Sequence, residues 1–191
     1  MLNLGILGGT FDPPHLGHLV LAQAAYETLI LDKIVLIPAK IQPHKTNKIM
    51  ASAQSRYEMC KLAINDDPRF EISDMEIRRS GLSYTVDTLQ ELKSLRPDSK
   101  LTLVIGADNI SDIADWKDPE RIFSLCEVAA AARPNCRPEG AYVSRIKIFD
   151  MPMVEISSTQ IRQRVMAGLS IKYLVPQSVE KYILHHGLYR E

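Results

Sequence analysis

The sequence has no net charge and no long apolar segment. Its 23 Lys and Arg residues balance 23 Asp and Glu residues, so no overall field would hold the protein on nucleic acid or on an anionic membrane. The purest apolar stretch, residues 128–132, is far shorter than the ~20 residues that a membrane helix needs. We therefore expect no nucleic-acid partner and no membrane partner, so that any anionic ligand must be bound by local groups.

Cysteine is scarce, and its pattern excludes two kinds of site. Cys60, Cys126 and Cys136 are odd in number and form no Cys-x-x-Cys, which argues against both a disulfide framework and a thiolate zinc site. The N-terminus is apolar through Leu7, but it has no basic leader of the kind that a secretory signal carries. These features predict a cytoplasmic protein.

The pattern of apolar residues predicts an α/β protein. The 191 residues are 46% hydrophobic and 24% charged, as in an ordinary globular domain. Short β-rich runs alternate with segments of helical period, which is typical of a Rossmann-like, doubly wound parallel sheet. We expect one domain, 1–191, with residues 156–191 as a small C-terminal helical subdomain. The predicted strands are 2–7, 33–38, 70–73, 101–105, 128–132 and 146–149, the main predicted helices are 16–27, 53–64, 85–95, 158–166 and 178–185, and residues 39–51 are a predicted exposed loop.

The strongest local motif joins the first predicted strand to the first helix. Glycines at this place let a phosphate approach the backbone closely, and the N–H groups of a helix start bind anions. His15 and His18 lie three residues apart on the first helical turn, so both rings can face one anion. A His-x-x-His metal site is the alternative, but the sequence offers no evident third ligand. The motif reads Gly8, Gly9, Thr10, Phe11, Asp12, Pro13, Pro14, His15, Leu16, Gly17, His18.

Two familiar phosphate motifs are absent. The chain has no Gly-x-x-x-x-Gly-Lys-Ser/Thr, and the glycines after the first strand do not form Gly-x-Gly-x-x-Gly. Both absences argue against a P-loop ATPase and a typical dehydrogenase. The predicted cradle therefore holds phosphate without a lysine of its own.

A second motif starts a helix near the C-terminus. Its hydroxyl side chains can cap the helix or bind phosphate, and Arg162 can reach the same oxygens with its planar guanidinium. A plain N-cap followed by a surface arginine is the alternative. The motif reads Ile156, Ser157, Ser158, Thr159, Gln160, Ile161, Arg162.

Together the two motifs resemble the signatures of the nucleotidyltransferase α/β superfamily, and the chain is most similar to the bacterial nicotinate mononucleotide adenylyltransferases. The pantetheine-phosphate adenylyltransferases are a sister possibility, but they usually have Thr where His15 stands and lack the C-terminal form seen here. Cys136 and Arg137 depart from the family, which often has Gly and Tyr there. Intermediate motifs match in order at Pro43–His44–Lys45, Ser83 to Leu89, Gly106 to Asn109, Trp116 and Ala132–Arg133–Pro134.

The resemblance implies two neighbouring binding sites. For the mononucleotide it implies that Trp116 stacks on the pyridine ring and that the helix start at Tyr84 and Thr85 binds the nicotinate carboxylate, with Lys40 and His44 adding positive charge. A buried core Trp and a solvated basic loop are the alternatives. For ATP it implies a site lined by Gly8, Gly9, Thr10, Phe11, His15, His18, Gly106, Asp108, Ser157, Ser158 and Arg162.

The function implied is transfer of AMP from ATP to nicotinate mononucleotide by direct in-line attack. The nucleophile is already an anion, so no general base and no covalent enzyme intermediate are needed. His15, His18 and Arg162 would neutralise growing charge, and Mg²⁺ would bind mainly through ATP phosphates, with no dedicated protein metal site. A nucleotide sensor and a His-x-x-His metal hydrolase are the alternatives. The sequence does not decide between a monomer and a homodimer, nor whether the loop of residues 40–51 closes on substrate.

Overall fold

In the computed structural model, which describes residues 1–43, 51–65, 67–132 and 139–190, six parallel strands form one sheet in the order β3-β2-β1-β4-β5-β6. The chain runs outward from β1 through β2 to β3, then returns to the other side of β1 with β4. The topological switch point therefore lies between β1 and β4. The strands are β1 Asn3–Gly9, β2 Lys33–Pro38, β3 Phe70–Ile72, β4 Lys100–Gly106, β5 Glu127–Ala131 and β6 Ile146–Phe149.

Helices cover both faces of the sheet. Alternate residues of each central strand point to opposite faces, so Leu4 and Ile6 of β1 pack on one side and Leu7 on the other. Because both faces are buried, the central strands are mainly apolar, as the sequence predicted, although β4 also contains the buried Thr102. The helices are α1 Leu16–Thr28, α2 Ala53–Ala63, α3 Met75–Arg78, α4 Thr85–Leu95, α5 Asn109–Asp112, α6 Pro119–Leu125, α7 Ser158–Met166 and α8 Gln177–His185.

The fold class is confirmed, but several boundaries differ from the predictions. Gly8 and Gly9 were expected to lie in the turn, whereas they are the last residues of β1, paired with Ile37 and Pro38 of β2. The ladder of backbone hydrogen bonds with β2 continues through both glycines. The short helices α3, α5 and α6 were not predicted, since four to seven residues are too few to show a helical period.

The C-terminal helices form a third apolar cluster against α2. Ile161 of α7 and Val179 and Ile183 of α8 pack with Met59 of α2. Ser178 also donates a hydrogen bond from its hydroxyl to the carbonyl of Leu62, at 2.8 Å. The status of residues 156–191 as a subdomain stays a prediction. Within the described part of the chain, no helix is long and apolar enough to cross a membrane.

Gly5 and Gly8 of β1 offer a matched test of packing. A Cβ at Gly5 would lie 2.7 Å from Cδ1 of Leu31 and 3.0 Å from Cδ1 of Ile34, both buried, whereas a Cβ at Gly8 would meet no heavy atom within 4 Å. We expect Gly5→Ala to lower the free energy of unfolding by about 1–3 kcal/mol through overpacking. Gly8→Ala should change it by less than about 0.5 kcal/mol. Urea denaturation measures both, and equal losses would contradict this account of the core.

Candidate active site

The turn between β1 and α1 faces solvent at Gly8, while the side chain of Phe11 packs into the core beneath it. Gly8 is exposed, and the space where its Cβ would lie is open. Phe11 has a positive φ of 51° and is only 2% exposed, with its ring 3.1 Å from the position of a Cβ on Gly9. A side chain at position 9 would therefore press against the Phe11 ring, which would have to shift slightly. Phe11 was predicted to line the ATP site, but its side chain belongs to the core, and only its main chain can face a ligand.

The rings of His15 and His18 lie against each other, tilted by 34°, at the start of α1. His15 is the N-cap residue, and its N–H donates to Nδ1 of His18 at 3.1 Å. The two ring centroids lie 3.7 Å apart, and the ring of Phe11 meets that of His18 edge-on with centroids 4.9 Å apart. Because Nδ1 of His18 accepts this bond, the proton of its neutral ring is on Nε2. The bond from the His15 N–H fixes the orientation of the His18 ring at the start of α1.

The charge on His15 differs from the expectation. Its side chain is 7% exposed, and burial lowers its pKa from 6.5 to about 4. The ring is therefore neutral at pH 7 and offers hydrogen bonds instead of positive charge. Gly17 contributes to this packing, since a Cβ there would lie 3.0 Å from the His15 ring.

The two motifs predicted to act together do meet. Nη1 of Arg162 in α7 donates to the carbonyl of Asp12 at 2.7 Å, and the hydroxyl of Ser158 donates to the carbonyl of Pro13 at 2.9 Å. The Arg162 side chain is only 13% exposed, so it is not a surface arginine. It supplies a fixed positive charge at the β1–α1 turn.

The hydroxyl of Ser157 serves as a helix cap. It accepts a hydrogen bond from the N–H of Gln160 at 3.2 Å, and the side chain of Gln160 accepts one from the N–H of Ser157 at 3.1 Å. This reciprocal pair is a capping box. The capping alternative is therefore the one that the structure shows for Ser157, which is also exposed enough to contact a ligand.

The predicted residues of β4 lie at the same edge of the sheet. β4 runs parallel to β1, and both strands end in glycine, β1 at Gly9 and β4 at Gly106. Gly106 is half-buried, and Asp108 is exposed at the start of α5. Ligands of open α/β sheets bind in this crevice, beyond the carboxyl ends of the strands at the switch point.

Two of the predicted mononucleotide residues, Tyr84 and Thr85, lie at the start of α4. Tyr84 is the N-cap residue of α4 and Thr85 its first residue, and both are half-buried. Nζ of Lys117 lies 4.6 Å from the centroid of the Tyr84 ring and 3.0 Å from each carboxylate oxygen of Asp87. Tyr84 and Trp116, the neighbour of Lys117, both pack against the same apolar cluster. Trp116 is half-buried against the core and is not a fully buried core residue.

Lys40 is less available than predicted. Its Nζ donates to the carbonyl of Arg79 at 3.1 Å, and its N–H donates to the hydroxyl of Ser83 at 3.0 Å. These bonds tie the segment after β2 to the segment before α4, so Lys40 already has a structural task. His44 and the rest of the predicted basic loop, residues 44–50, lie outside the described residues.

Sequence reasoning missed Arg56 of α2, which is 1% exposed. Its guanidinium donates to the carbonyls of Thr10 at 2.7 Å, Ala39 at 2.6 Å, Lys40 at 3.1 Å and Ala51 at 3.3 Å. It thus holds the segments after β1 and β2 against the start of α2. No local pattern signals this role, because its farthest partner, Thr10, lies 46 positions away in the sequence.

Metal ligands are not clustered in the described ranges. Residues 1–43, 51–65, 67–132 and 139–190 hold no group of three or more His, Cys, Asp or Glu side chains that could bind an ion. The His-x-x-His hydrolase alternative therefore gains no third ligand among them.

The chain is similar to known proteins over nearly its whole length. A family model described as cytidylyltransferase-like matches residues 6–164. A relative named "Probable nicotinate-nucleotide adenylyltransferase" from Thermus thermophilus is 46% identical over 189 residues, covering 99% of this chain and all of the relative. The chain belongs to the nicotinate-nucleotide adenylyltransferase family. A second relative of the same name, from Exiguobacterium sibiricum, is 44% identical and covers 98% of this chain and 99% of its own length.

Solved structures of this enzyme type share the fold. The Plasmodium falciparum nicotinic acid mononucleotide adenylyltransferase complexed with NaAD has a TM-score of 0.82 at 21% identity, and it covers 99% of this chain and 98% of its own. A structure of the same protein complexed with APC has a TM-score of 0.82 at 20% identity, with the same coverage of both chains. These structures show the shared fold, and the relatives at 44% and 46% identity confirm the family resemblance stated from the motifs.

The buried ring of His15 predicts a pH-dependent stability. Its pKa is lower in the folded protein than in the unfolded chain, so the unfolded chain takes up the proton first as the pH falls. Its contribution is fully present above pH 6.5 and is lost between pH 6.5 and about 4, reaching at most about 3 kcal/mol. His15→Asn, which keeps an N-cap residue, should show a smaller loss of unfolding free energy between pH 7 and pH 4.5.

Denaturant unfolding at the two pH values measures the difference. His185→Asn is the matched control, because it removes an exposed imidazole from the end of α8 and should keep the wild-type pH dependence. The same pH dependence in His15→Asn and wild type would show that His15 is not buried uncharged.

Proposed function

We infer that this chain catalyses the transfer of AMP from ATP to nicotinate mononucleotide, which yields nicotinate adenine dinucleotide and pyrophosphate. The relatives carry this activity in their names over the whole length of the chain. The observation in the molecule that supports it most is the hydrogen bond from Arg162 to the carbonyl of Asp12, because it joins the two phosphate motifs at the switch point. The names of the relatives confirm an adenylyltransferase over the alternatives of a nucleotide sensor and a metal hydrolase.

The reaction needs alignment and charge stabilisation. An oxygen of the mononucleotide 5′-phosphate attacks the α-phosphorus of ATP, a new P–O bond forms, and the bond to the β-phosphate bridging oxygen breaks. That electron pair leaves with pyrophosphate. The attacking phosphate is an anion, so no proton has to be removed from it. The work of the protein is to hold two anions in line and to stabilise the charge that moves to the leaving group.

We assign the phosphate contacts to the groups around the β1–α1 turn. Gly8 leaves room for a phosphate against the backbone, and the N-terminus of α1 favours negative charge there. Nε2–H of His18 donates a hydrogen bond, His15 donates from a neutral ring, and Arg162 supplies the fixed positive charge. Thr10, Gly106, Asp108, Ser157 and Ser158 complete the proposed ATP site.

Magnesium fits this site as an ion held by ATP. Mg²⁺ keeps several waters and binds through phosphates with few carboxylates. Asp12 is 2% exposed and its carboxylate is already bonded to Tyr189 and Ala51, so it is poorly placed to bind an ion. Asp108, exposed at the end of β4, is the side chain that would contact the hydrated ion. When bound, the ion would neutralise phosphate charge.

We assign the mononucleotide to the start of α4. Trp116 would stack on the pyridine ring, and the N–H groups at Tyr84 and Thr85 would bind the nicotinate carboxylate. Lys40 would act through the segment it ties to α4, since its ammonium is bonded to Arg79. A cytoplasmic location, a homodimer and a contribution from His44 stay predictions.

Substrate choice tests the function. We expect pyrophosphate release with nicotinate mononucleotide, ATP and Mg²⁺, and a kcat/KM up to ~10⁴ lower with nicotinamide mononucleotide, because an amide presents N–H donors to N–H donors. 4′-Phosphopantetheine, the acceptor of the sister family, is the control and should release none. Equal values for acid and amide would contradict the assignment of the α4 start, and turnover with phosphopantetheine would contradict the proposed function.

The histidine pair predicts a defect in turnover. His18→Ala should lower kcat by ~10² to 10³, as the loss of one donor to developing charge does elsewhere. His15→Ala should behave similarly, and the double variant should lose less than the product of the two effects, because both side chains serve one phosphate chain. His185→Ala is the control. Circular dichroism checks that the variants fold, and wild-type turnover in folded His18→Ala would reject its catalytic role.

A further inference from the structure

A buried carboxylate lies directly behind the proposed phosphate site. Asp12 is 2% exposed, and its Oδ1 accepts hydrogen bonds from the hydroxyl of Tyr189 at 2.7 Å and from the N–H of Ala51 at 3.2 Å. Its Oδ2 lies 3.9 Å from Nη1 of Arg162. An ionised carboxylate is costly to bury unless such groups surround it. Asp12 is therefore the point at which the phosphate turn, the start of α2 and the C-terminal segment are joined.

Tyr189 reaches this carboxylate from the segment after α8. Its ring is 5% exposed within the third apolar cluster, and its φ of 62° follows a φ of 60° at Gly187, so the chain turns sharply inward after α8. Burial and the neighbouring Asp12 carboxylate raise the pKa of Tyr189, so its hydroxyl stays protonated and acts as a donor. The hydroxyl thus has one buried partner, at short distance, 177 positions away in the sequence.

Arg162 is bonded to the same residue through a different atom. Its Nη1 donates to the main-chain carbonyl of Asp12 at 2.7 Å, while Tyr189 donates to the Asp12 side chain. A rotation of the carboxylate would change its 3.9 Å approach to Arg162 and shift the turn that holds the carbonyl. Hydrogen bonds at 2.7 Å to one small buried residue leave little freedom for either partner.

We propose that Tyr189 is a positioning residue for adenylyl transfer, which fixes Arg162 and the phosphate turn through the carboxylate of Asp12. The proposal rests on the proposed function for its effect on turnover, but the link between Tyr189 and Arg162 is a property of the fold alone. Tyr189 itself lies behind the turn and touches no reacting atom. The alternative is that Tyr189 is purely structural and its ring only packs within the third apolar cluster.

Tyr189→Phe separates the two roles, because it keeps the ring and removes only the hydroxyl. We expect kcat to fall roughly tenfold, since small displacements of aligned groups are costly to in-line chemistry. KM for nicotinate mononucleotide should stay within about twofold, because Tyr189 lies behind the phosphate turn and not at the start of α4. Tyr182→Phe is the matched control, because it removes a hydroxyl from a tyrosine of α8 whose ring stacks on His186. This variant should have wild-type kinetics.

A double-variant cycle provides a second readout that needs no activity. Urea denaturation of Tyr189→Phe, Arg162→Ala and the double variant should give a midpoint shift in the double variant smaller than the sum of the single shifts. Additive shifts would overturn the proposal, whatever happens to kcat. An unchanged kcat in Tyr189→Phe with an active wild type would also overturn it. If the midpoint shifts of the variants are coupled but the wild-type protein releases no pyrophosphate, the link between Tyr189 and Arg162 is upheld and the proposed function is rejected instead.

Discussion

The candidate site depends on the hydrogen bonds that the buried guanidinium of Arg56 donates to main-chain carbonyls. Neighbouring parallel strands that end at one edge leave carbonyl groups beyond the last ladder bond, and buried carbonyls without donors are costly. Arginine carries five N–H donors in one plane, so a single side chain can serve several such carbonyls. Arg56 does so for the segments after β1 and β2 and for the start of α2. Burial lowers its pKa while Asp12 raises it, and the cation is retained because its partners are fixed oxygens. The phosphate turn is therefore held in place from behind, without using the groups that face the ligand.

Positive charges outnumber negative charges among the buried groups behind the turn, which favours the binding of phosphate. Asp12 is one anion near two arginines, Arg56 and Arg162. Burial keeps the His15 ring in front of them uncharged at neutral pH by lowering its pKa. A positive excess in a region of low dielectric attracts anions more strongly than the same charge would in water. Because the arginines are bonded to main-chain carbonyls, they do not have to reorganise when charge develops in front of them. A site of this kind can bind a polyphosphate even though the chain as a whole has no net charge.

The parts of this molecule that the sequence predicted are those with local causes. Apolar runs on both faces indicated the parallel sheet, and the glycines, histidines and capping hydroxyls lay in short motifs next to predicted helix starts. Arg56 and Tyr189 could not be predicted in the same way. Arg56 binds Thr10, 46 positions away, and Tyr189 binds Asp12, 177 positions away, and no local sequence pattern indicates either contact. The burial of Phe11 and the low pKa of His15 depend on three-dimensional packing around one turn. Lys40 was expected to add positive charge at the mononucleotide site, whereas its ammonium is already bonded to a carbonyl.

The N-cap of α1 carries a conflict between stability and use. Ser, Thr, Asp and Asn are the residues that start helices best, yet His15 occupies this position, and the first turn of α1 contains no acidic residue. Aspartate at position 15 would favour the helix, but it would also place a negative charge where phosphate has to bind. Selection for thermal stability alone would therefore favour a residue that caps α1 more strongly but lowers activity, as happens at many functional sites. The first turn of α1 is a place where a stabilised variant and a working catalyst require different residues.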